Sequence, residues 1–162
     1  MATTSSRTAE VTLPSDTQIQ ITREFDAPRH LVYRAYTTPE LIRRWWAGNR
    51  GEMTIVDVDL RVGGQWRYVM TANGGFEVAF HGEYRAIVAN ERLVMTAAFE
   101  GMPEAQAAID TVTFGEAGAR TLLTQLTQFA NEGDRDAVLN SGMEGGMQEA
   151  MDQLEQVARS LR

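Results

Sequence analysis

The side chains of this sequence best suited to move a proton near neutral pH are its two histidines, His30 and His81. His30 comes at the start of a predicted helix, and His81 lies in a predicted strand. Neither has a second histidine three or four residues away, so no pair of metal-binding histidines can share a helix face. His81 shares its strand face with Glu83 and Arg85, which favours a solvated polar cluster on the surface of a sheet.

The nucleophilic side chains of the sequence support few catalytic mechanisms. The chain has no cysteine, and its 15 basic residues are all arginine. This composition excludes thiol catalysis, disulfides, zinc–thiolate sites, Schiff-base chemistry and a phosphate-binding loop with its lysine. Ser141 precedes Gly142, but helix signals lie on both sides and no strand leads into it, so it does not form a nucleophile elbow. We therefore predict no catalytic residue, no metal site and no cofactor.

Aromatic and methionine side chains are the stronger signal, and they indicate binding. Met143, Met147 and Met151 recur every four residues along a predicted helix, and further large apolar residues alternate along predicted strands. Methionine is common on surfaces that adapt to varied apolar partners. An ordinary filled core is the alternative. The residues that we predict to line a ligand cavity are Trp46, Trp66, Tyr68, Met70, Phe80, Tyr84, Met95, Phe99, Met143 and Met147.

Three glycines, Gly142, Gly145 and Gly146, fall within the same predicted helix. Each costs a helix up to about 1 kcal/mol relative to alanine. Close approach of another backbone, or room for a ligand, would account for them. A local break in the helix is the other interpretation.

Arg43, Arg44 and Arg50 form a small basic patch next to a pair of tryptophans. Guanidinium groups bind carboxylates and phosphates well, so the patch could receive an anionic ligand or an acidic protein surface. A solvated face of a short helix is the simpler interpretation.

The elements that position these residues follow from periodicity and turn signals. A flexible leader spans residues 1–17, and a single domain spans residues 18–162. The first strand runs from Gln18 to Phe25, and Asp26 is the predicted N-cap of a short helix. A second short helix begins after Thr38 and ends at Gly48, with Trp45 and Trp46 at helical spacing. Closely spaced strands then form an antiparallel meander, and a long amphipathic helix runs from Asp134 to about Leu161.

Charge and hydropathy exclude some partners. The formal net charge is −7 and the pI is near 4.8, which argues against nucleic acid or an anionic membrane as a partner. No apolar run approaches the ~18 residues of a membrane span. The first ten residues contain no apolar signal segment, so we expect a cytoplasmic protein without membrane insertion.

Four segments together resemble the START-like, helix-grip superfamily (SRPBCC), and within it the homologues of the heat-shock-protein-90 ATPase activator. They are ITREFDAPRHLVYRAYTTPELIRRWW, DLRVGGQWRYVM, FHGEYRAIVANERLVMTAAFE, and TVTF with LTQLTQF and SGMEGGMQEAMDQLEQVA. The resemblance spans roughly Ile19 to Leu161. It implies an α+β fold in which a curved antiparallel β-sheet wraps around a long C-terminal helix, with two short helices after the first strand. Family members often carry tryptophan at the position of Met147, so the resemblance implies a softer cavity roof here.

Relatives in this superfamily bind lipids or hormones, act as polyketide aromatases or cyclases, or assist chaperones, so membership leaves function open. Our first hypothesis is non-catalytic binding of a small, largely hydrophobic molecule, lipid-like or polyketide-like, in the internal cavity. The second is an aromatase/cyclase-like enzyme, for which the predicted inward faces offer only Tyr68, Tyr84 and either Thr124 or Gln128 as polar groups. An inward-pointing His81 or Glu83 would favour it.

The third hypothesis is a co-chaperone-like interaction module with a chaperone as partner. We rank it last because the eukaryotic activators carry an additional N-terminal domain, for which we expect no room in 162 residues. A homodimer is left open by the sequence.

Overall fold

The computed structural model describes residues 8–101 and 107–162. In chain order its elements are β1 (Glu10–Thr12), β2 (Gln18–Phe25), α1 (Arg29–Thr37), α2 (Pro39–Ile42), β3 (Gly51–Val58), β4 (Gln65–Ala72), β5 (Glu77–Val88), β6 (Arg92–Phe99), β7 (Ala108–Ala117), β8 (Arg120–Gln128), α3 (Glu132–Leu139) and α4 (Met143–Ser160). Among the helices of these residues, none combines the length and apolar character that crossing a bilayer requires.

One curved, open sheet holds all the strands of the described residues in the order β1-β2-β8-β7-β6-β5-β4-β3. Every neighbouring pair is antiparallel. Strands β3 to β8 follow one another as a meander, because short connections can join only antiparallel neighbours. The C-terminal helix α4 shares one hydrophobic core with the sheet. The predicted α+β architecture, with a curved antiparallel sheet against a long C-terminal helix, is therefore confirmed.

The register of the sheet decides which side chains face α4. Directly opposed residues in an antiparallel pair lie on the same face of the sheet. One such row crosses five strands through Ile19, Thr127, Asp110, Met95 and Tyr84. Ile19 and Tyr84 are each 2% exposed, so this row lies on the concave, buried face.

An ion pair fastens the C-terminal half of α4 to β2. Arg23 is buried in the middle of β2, and its guanidinium lies 3.2 Å from Glu155 Oε1. Glu155 Oε2 also accepts a hydrogen bond of 2.7 Å from the backbone N–H of Asp26. The Arg23 guanidinium carbon lies 4.8 Å from the centroid of the Phe25 ring. This part of α4 is therefore held by charge as well as by apolar packing.

Two predictions near the N-terminus need correction. Part of the predicted leader, residues 1–17, is ordered: Glu10–Thr12 forms β1 on the edge of β2, and Ala9 exchanges two backbone hydrogen bonds with the Gln148 side chain. Residues 1–7 lie outside the described part of the chain. The N-cap of α1 is Pro28 rather than Asp26. Asp26 lies near three arginine side chains instead, at 3.7–3.9 Å.

Both later helices also differ from the prediction. Helix α2 ends at Ile42, and Trp45 and Trp46 lie in the turns that follow it. The long C-terminal helix is broken between α3 and α4, where Gly142 adopts a φ of +82°. Glycine is the residue that takes this left-handed conformation at little cost. The interpretation of Gly142 as a helix break is confirmed.

Candidate functional site

A continuous wall of aromatic rings lies on the concave side of β4 and β5. Trp66 packs on Tyr68 with ring centroids 4.7 Å apart, and Tyr68 meets Trp46 edge-on at 5.4 Å. Trp46 then contacts Phe80 at 5.3 Å, and Phe80 contacts Phe99 at 5.1 Å. These spacings are those of favourable ring pairs. We call these five residues the aromatic wall.

The sheet positions the wall through its register and one glycine. Tyr68 lies opposite Phe80, and Trp66 lies opposite Gly82. A Cβ atom at Gly82 would collide with the carbonyl oxygen of Thr96 and with the Trp66 indole nitrogen. Because Gly82 has none, the Trp66 indole crosses over β5 and donates a hydrogen bond of 3.1 Å to that carbonyl. The polar edge of Trp66 is thereby satisfied in a buried place.

The predicted cavity-lining residues fall into three classes of exposure. Trp66, Tyr68, Tyr84 and Met95 are buried in the core. Trp46, Met70, Phe80, Met143 and Met147 are half-buried and pack against that core. Phe99 is 38% exposed and lies at the rim of the wall. The structure thus brings nine of the ten into one cluster and leaves the tenth at its edge.

Several members of this set are half-buried, although they pack against the core. Phe80 lies on the concave face opposite Tyr68, yet keeps part of its surface exposed. Met143 and Met147 do the same on the helix side. An added Cβ at Gly146, which lies between them in α4, would meet no atom within 4 Å. We call the region between the concave face of the sheet and the first half of α4 the recess.

The recess has a polar centre that the sequence analysis missed. Asp110 of β7 lies between Thr127 of β8 and Met95 of β6. The Thr127 hydroxyl donates a hydrogen bond of 2.6 Å to Asp110 Oδ1, and Gln125 forms a second hydrogen bond with the same carboxyl group. Asp110 therefore places a titratable group on the concave face.

Burial raises the pKa of Asp110 to about 6, and the hydrogen bonds with Thr127 and Gln125 only partly oppose this shift. Removing a carboxylate from water disfavours its charged form. Asp110 as a whole residue is half-buried. A carboxyl group that titrates near neutral pH in an apolar surrounding is suited to transferring a proton.

Three tyrosines complete the polar part of the recess. The Tyr36 hydroxyl of α1 lies 3.4 Å from Gln125 Oε1, and Tyr68 and Tyr84 share a hydrogen bond. Burial raises the pKa of Tyr36, and the nearby charge of Asp110 raises it further. Burial also raises the pKa of Tyr84 to about 12. These phenols therefore act as neutral hydrogen-bonding groups at ordinary pH.

The prediction that Thr124 or Gln128 faces inward is wrong. Both lie on the convex side: Thr124 is opposite Thr22, and Gln128 is opposite Ile109 on β7, which is 39% exposed. Gln125 takes the inward place instead, because a shift of one residue exchanges the two faces of a strand. The alternation of Asp110 with Val112 and Phe114 along β7 is the signal that could have identified Asp110.

His81 and Glu83 point away from the recess. His81 Nδ1 lies 2.9 Å from Glu100 Oε2, and Arg67 forms a two-pronged ion pair with the same carboxylate, both bonds measuring 2.9 Å. The Arg67 hydrogen bonds, and then that of His81, lower the pKa of Glu100 to about 2. Glu83 pairs with Arg85 nearby. The predicted solvated polar cluster is confirmed, and it contributes nothing to the interior.

The basic patch is dispersed over the surface. Arg43 donates a hydrogen bond of 3.2 Å to the carbonyl of Met53, and Arg50 pairs with Glu149 at 3.3 Å. Arg44 is exposed and lines an open, polar groove of about 540 Å³ against α4. Glu149 and Asp152 line the same groove, so the arginines do not form a concentrated anion site. In the part of the chain that the structure describes, no group of three His, Asp or Glu side chains is arranged to hold a metal ion.

Comparison with known proteins identifies the family. Residues 26–159 match the sequence model of the family described as Activator of Hsp90 ATPase homolog 1-like protein. A search of curated proteins finds no match.

Solved structures share the fold. A protein from Rhodobacter sphaeroides superposes with a TM-score of 0.87 at 23% identity, over 94% of this chain and 99% of that chain. A protein from Mycobacterium smegmatis gives a TM-score of 0.84 at 26% identity, over 93% of this chain and 96% of the other. An AHSA1-like protein from Aeromonas hydrophila gives a TM-score of 0.63 at 21% identity, over 88% of this chain and 93% of the other.

Proposed function

We propose that this chain, which belongs to the family of Activator of Hsp90 ATPase homolog 1-like proteins, binds a small, largely hydrophobic molecule in the recess between its sheet and α4. The ligand is lipid-like or polyketide-like in its apolar character. The aromatic wall forms one side of the binding site, and Met143 and Met147 form the other.

One observation supports this proposal: large apolar side chains that border the recess, on the sheet and on α4, remain partly exposed. Ligand sites are lined mainly by apolar and aromatic side chains, which a bound molecule covers. Phe80, Met143 and Met147 are of this kind. Each removal of roughly 100 Å² of apolar surface from water stabilises a complex by about 2.5 kcal/mol before ordering costs.

A panel of fatty acids, sterols and aromatic polyketides tests the proposal by thermal shift and by the NMR signals of the methionine methyl groups. Binding is expected to raise the melting temperature and to move the Met143 and Met147 signals. A panel without any shift in either measurement would contradict the proposal.

Filling the recess gives a sharper test. Met147→Trp places a large side chain on the half-buried face of α4 and is expected to weaken binding of the panel's tightest ligand by about tenfold or more. Leu122→Trp is the matched control, because Leu122 is 43% exposed on the convex face. Equal affinity in the two variants would place the ligand elsewhere.

Asp110 favours a second candidate function, the aromatase/cyclase-like enzyme. Such chemistry needs a group that removes a proton next to a carbonyl carbon, and a carboxylate in an apolar site can do this. The measurement is deuterium uptake by 4-phenylbutan-2-one in D₂O. A catalyst is expected to exchange the protons at least about a hundredfold faster than Asp110→Asn protein. Equal rates would rule the enzyme out.

The co-chaperone-like alternative predicts binding to a chaperone through an exposed surface. A pull-down with purified Hsp90 distinguishes it, because Met147→Trp should leave that interaction unchanged. A homodimer, which the sequence leaves open, is tested by the sedimentation of the purified chain.

A further inference from the structure

One row of side chains crosses the convex face of the sheet from an acid to a base. It passes through directly opposed residues in the order Glu10, Thr22, Thr124, Thr113 and Arg92. Glu10 and Arg92 are exposed, and no ion pair joins either of them to another described residue. Thr124 of β8 is the middle residue, two strands away from each charge. The row therefore ends in opposite charges and is neutral between them.

The face beside this row is also neutral. The next two rows, toward the start of β2, hold only glutamine, threonine, leucine, isoleucine and valine on β2, β8, β7 and β6. Leu126 of β8 lies in the nearer of these rows, and Leu122, on the other side of Thr124, is 43% exposed. Charged residues make up 23% of the chain, so their absence across four strands is conspicuous. The centre of a protein–protein interface is depleted of charge in the same way.

We propose that two copies of this chain associate through this convex face, around a two-fold axis that runs along β8. Rotation about such an axis reverses the order of the strands, so β1 of one copy lies over β6 of the other. Glu10 of each copy then faces Arg92 of the other copy. Thr124, Leu122 and Leu126 lie on the axis, and each faces its own counterpart. The interface thus has apolar residues at its centre and complementary charges at its rim.

The charges favour this axis and this occupant. A two-fold axis across the strands would place Glu10 over Glu10 and Arg92 over Arg92, which like-charge repulsion disfavours. The whole chain carries a net charge of −7, so two copies repel each other through most of their surface. They approach with least repulsion through a face that is neutral and carries one charge of each sign at opposite edges.

The shape of the sheet sets the strength of the dimer. Because the sheet curves toward α4, two convex faces come closest at β8 and diverge toward β1 and β6. Short threonines lie where the gap is narrow, and the long side chains of Glu10 and Arg92 lie where it is wide. Four strands about 4.8 Å apart and about 26 Å long offer roughly 500 Å² on each copy. Standard interfaces use about 800 Å² on each partner, so we expect a weak dimer with a Kd of about 10–100 µM.

This dimer lies on the opposite side of the sheet from the recess. It leaves the recess uncovered in both copies, so the inference stands or falls independently of the function proposed above.

Sedimentation equilibrium of the purified chain between about 5 and 500 µM tests the inference, and a rise toward twice the 18.0 kDa of one chain is expected. Thr124→Glu places two carboxylates face to face on the axis and should weaken association by about tenfold or more. Gln65→Glu is the matched control, because it adds the same charge at an exposed position on the convex side of β4, away from the interface. It should leave association unchanged.

Exchange of the two rim charges tests the direction of the axis. Glu10→Arg and Arg92→Glu each create like charges across the interface and should each weaken association by about threefold to tenfold. The double variant restores opposite charges and should associate about as tightly as the parent.

Three outcomes would overturn the inference. A chain that stays monomeric at every concentration leaves this face to a different protein. Association that Thr124→Glu does not weaken takes place through another surface. A double variant that associates no better than either single variant shows that Glu10 and Arg92 do not face each other.

Discussion

Replacing Asp110 by asparagine should stabilise the folded protein at neutral and alkaline pH. The pKa of Asp110 is about 6 in the fold against 3.8 for a free aspartate. The difference of about two units corresponds to about 3 kcal/mol at about 1.4 kcal/mol per unit. This is the free-energy cost of ionising the buried group, and an asparagine of the same shape avoids it while its amide oxygen still accepts the Thr127 hydrogen bond.

The pH dependence of this gain has a definite sign. A carboxyl group whose pKa is raised in the fold binds more protons in the folded state than in the unfolded state. Its contribution to stability is complete below about pH 3.8 and is lost as the pH rises through about 6. The variant and the parent should therefore be equally stable near pH 4, and the gap should open between pH 4 and pH 7.

Urea denaturation at closely spaced pH values measures the gap directly, with tryptophan fluorescence as the signal. The expected result is a gain of about 2–3 kcal/mol near pH 8. Asp57→Asn serves as the control, because Asp57 is exposed and its loss should change stability by less than about 0.5 kcal/mol. A variant that is less stable than the parent near pH 8 would refute the assignment of Asp110 as a buried, uncompensated charge.

Two further predictions concern α4. Gly146→Ala should stabilise the protein by about 0.5–1 kcal/mol and raise the melting temperature by about 2–4 °C, because the added methyl group enters open space. Gly145→Ala should gain less or lose stability, since the Arg50 guanidinium lies 2.7 Å from the added carbon; equal gains would contradict the packing described. Glu155→Gln should cost about 3 kcal/mol in urea denaturation, because it removes a charged partner of buried Arg23, and a loss below about 1 kcal/mol would show that the pair adds little.

Strands with distinct faces could be predicted from the sequence, and strands with similar faces could not. In β4, Trp66 and Tyr68 alternate with Gln65 and Arg67, so the inward side was evident and the structure confirms it. In β8, leucine, threonine and glutamine occur on both sides: Leu123 and Gln125 face inward, whereas Leu122 and Thr124 face outward. Periodicity cannot choose between such faces, and only pairing with neighbouring strands fixes them.

The inward position of Asp110 could not be predicted from the sequence, for a related reason. Ile109 and Asp110 reverse the usual rule: the isoleucine is 39% exposed and the aspartate faces the core. Hydrophobicity alone would place Ile109 in the core and Asp110 on the surface. The position of Asp110 follows only from counting two residues back from buried Val112.

Helix α4 is held to the rest of the fold more strongly in its second half than in its first turn. The free energy needed to unfold it locally therefore varies along its length. Its second half holds the Glu155 ion pair with Arg23 and the fully buried Leu154. Its first turn has a left-handed glycine at the N-cap, two more glycines and half-buried methionines. Sub-global openings begin where buried contacts are fewest. Within α4, amide hydrogen exchange should therefore be fastest at Met143 to Met147, and this turn should open while the rest of the helix stays docked.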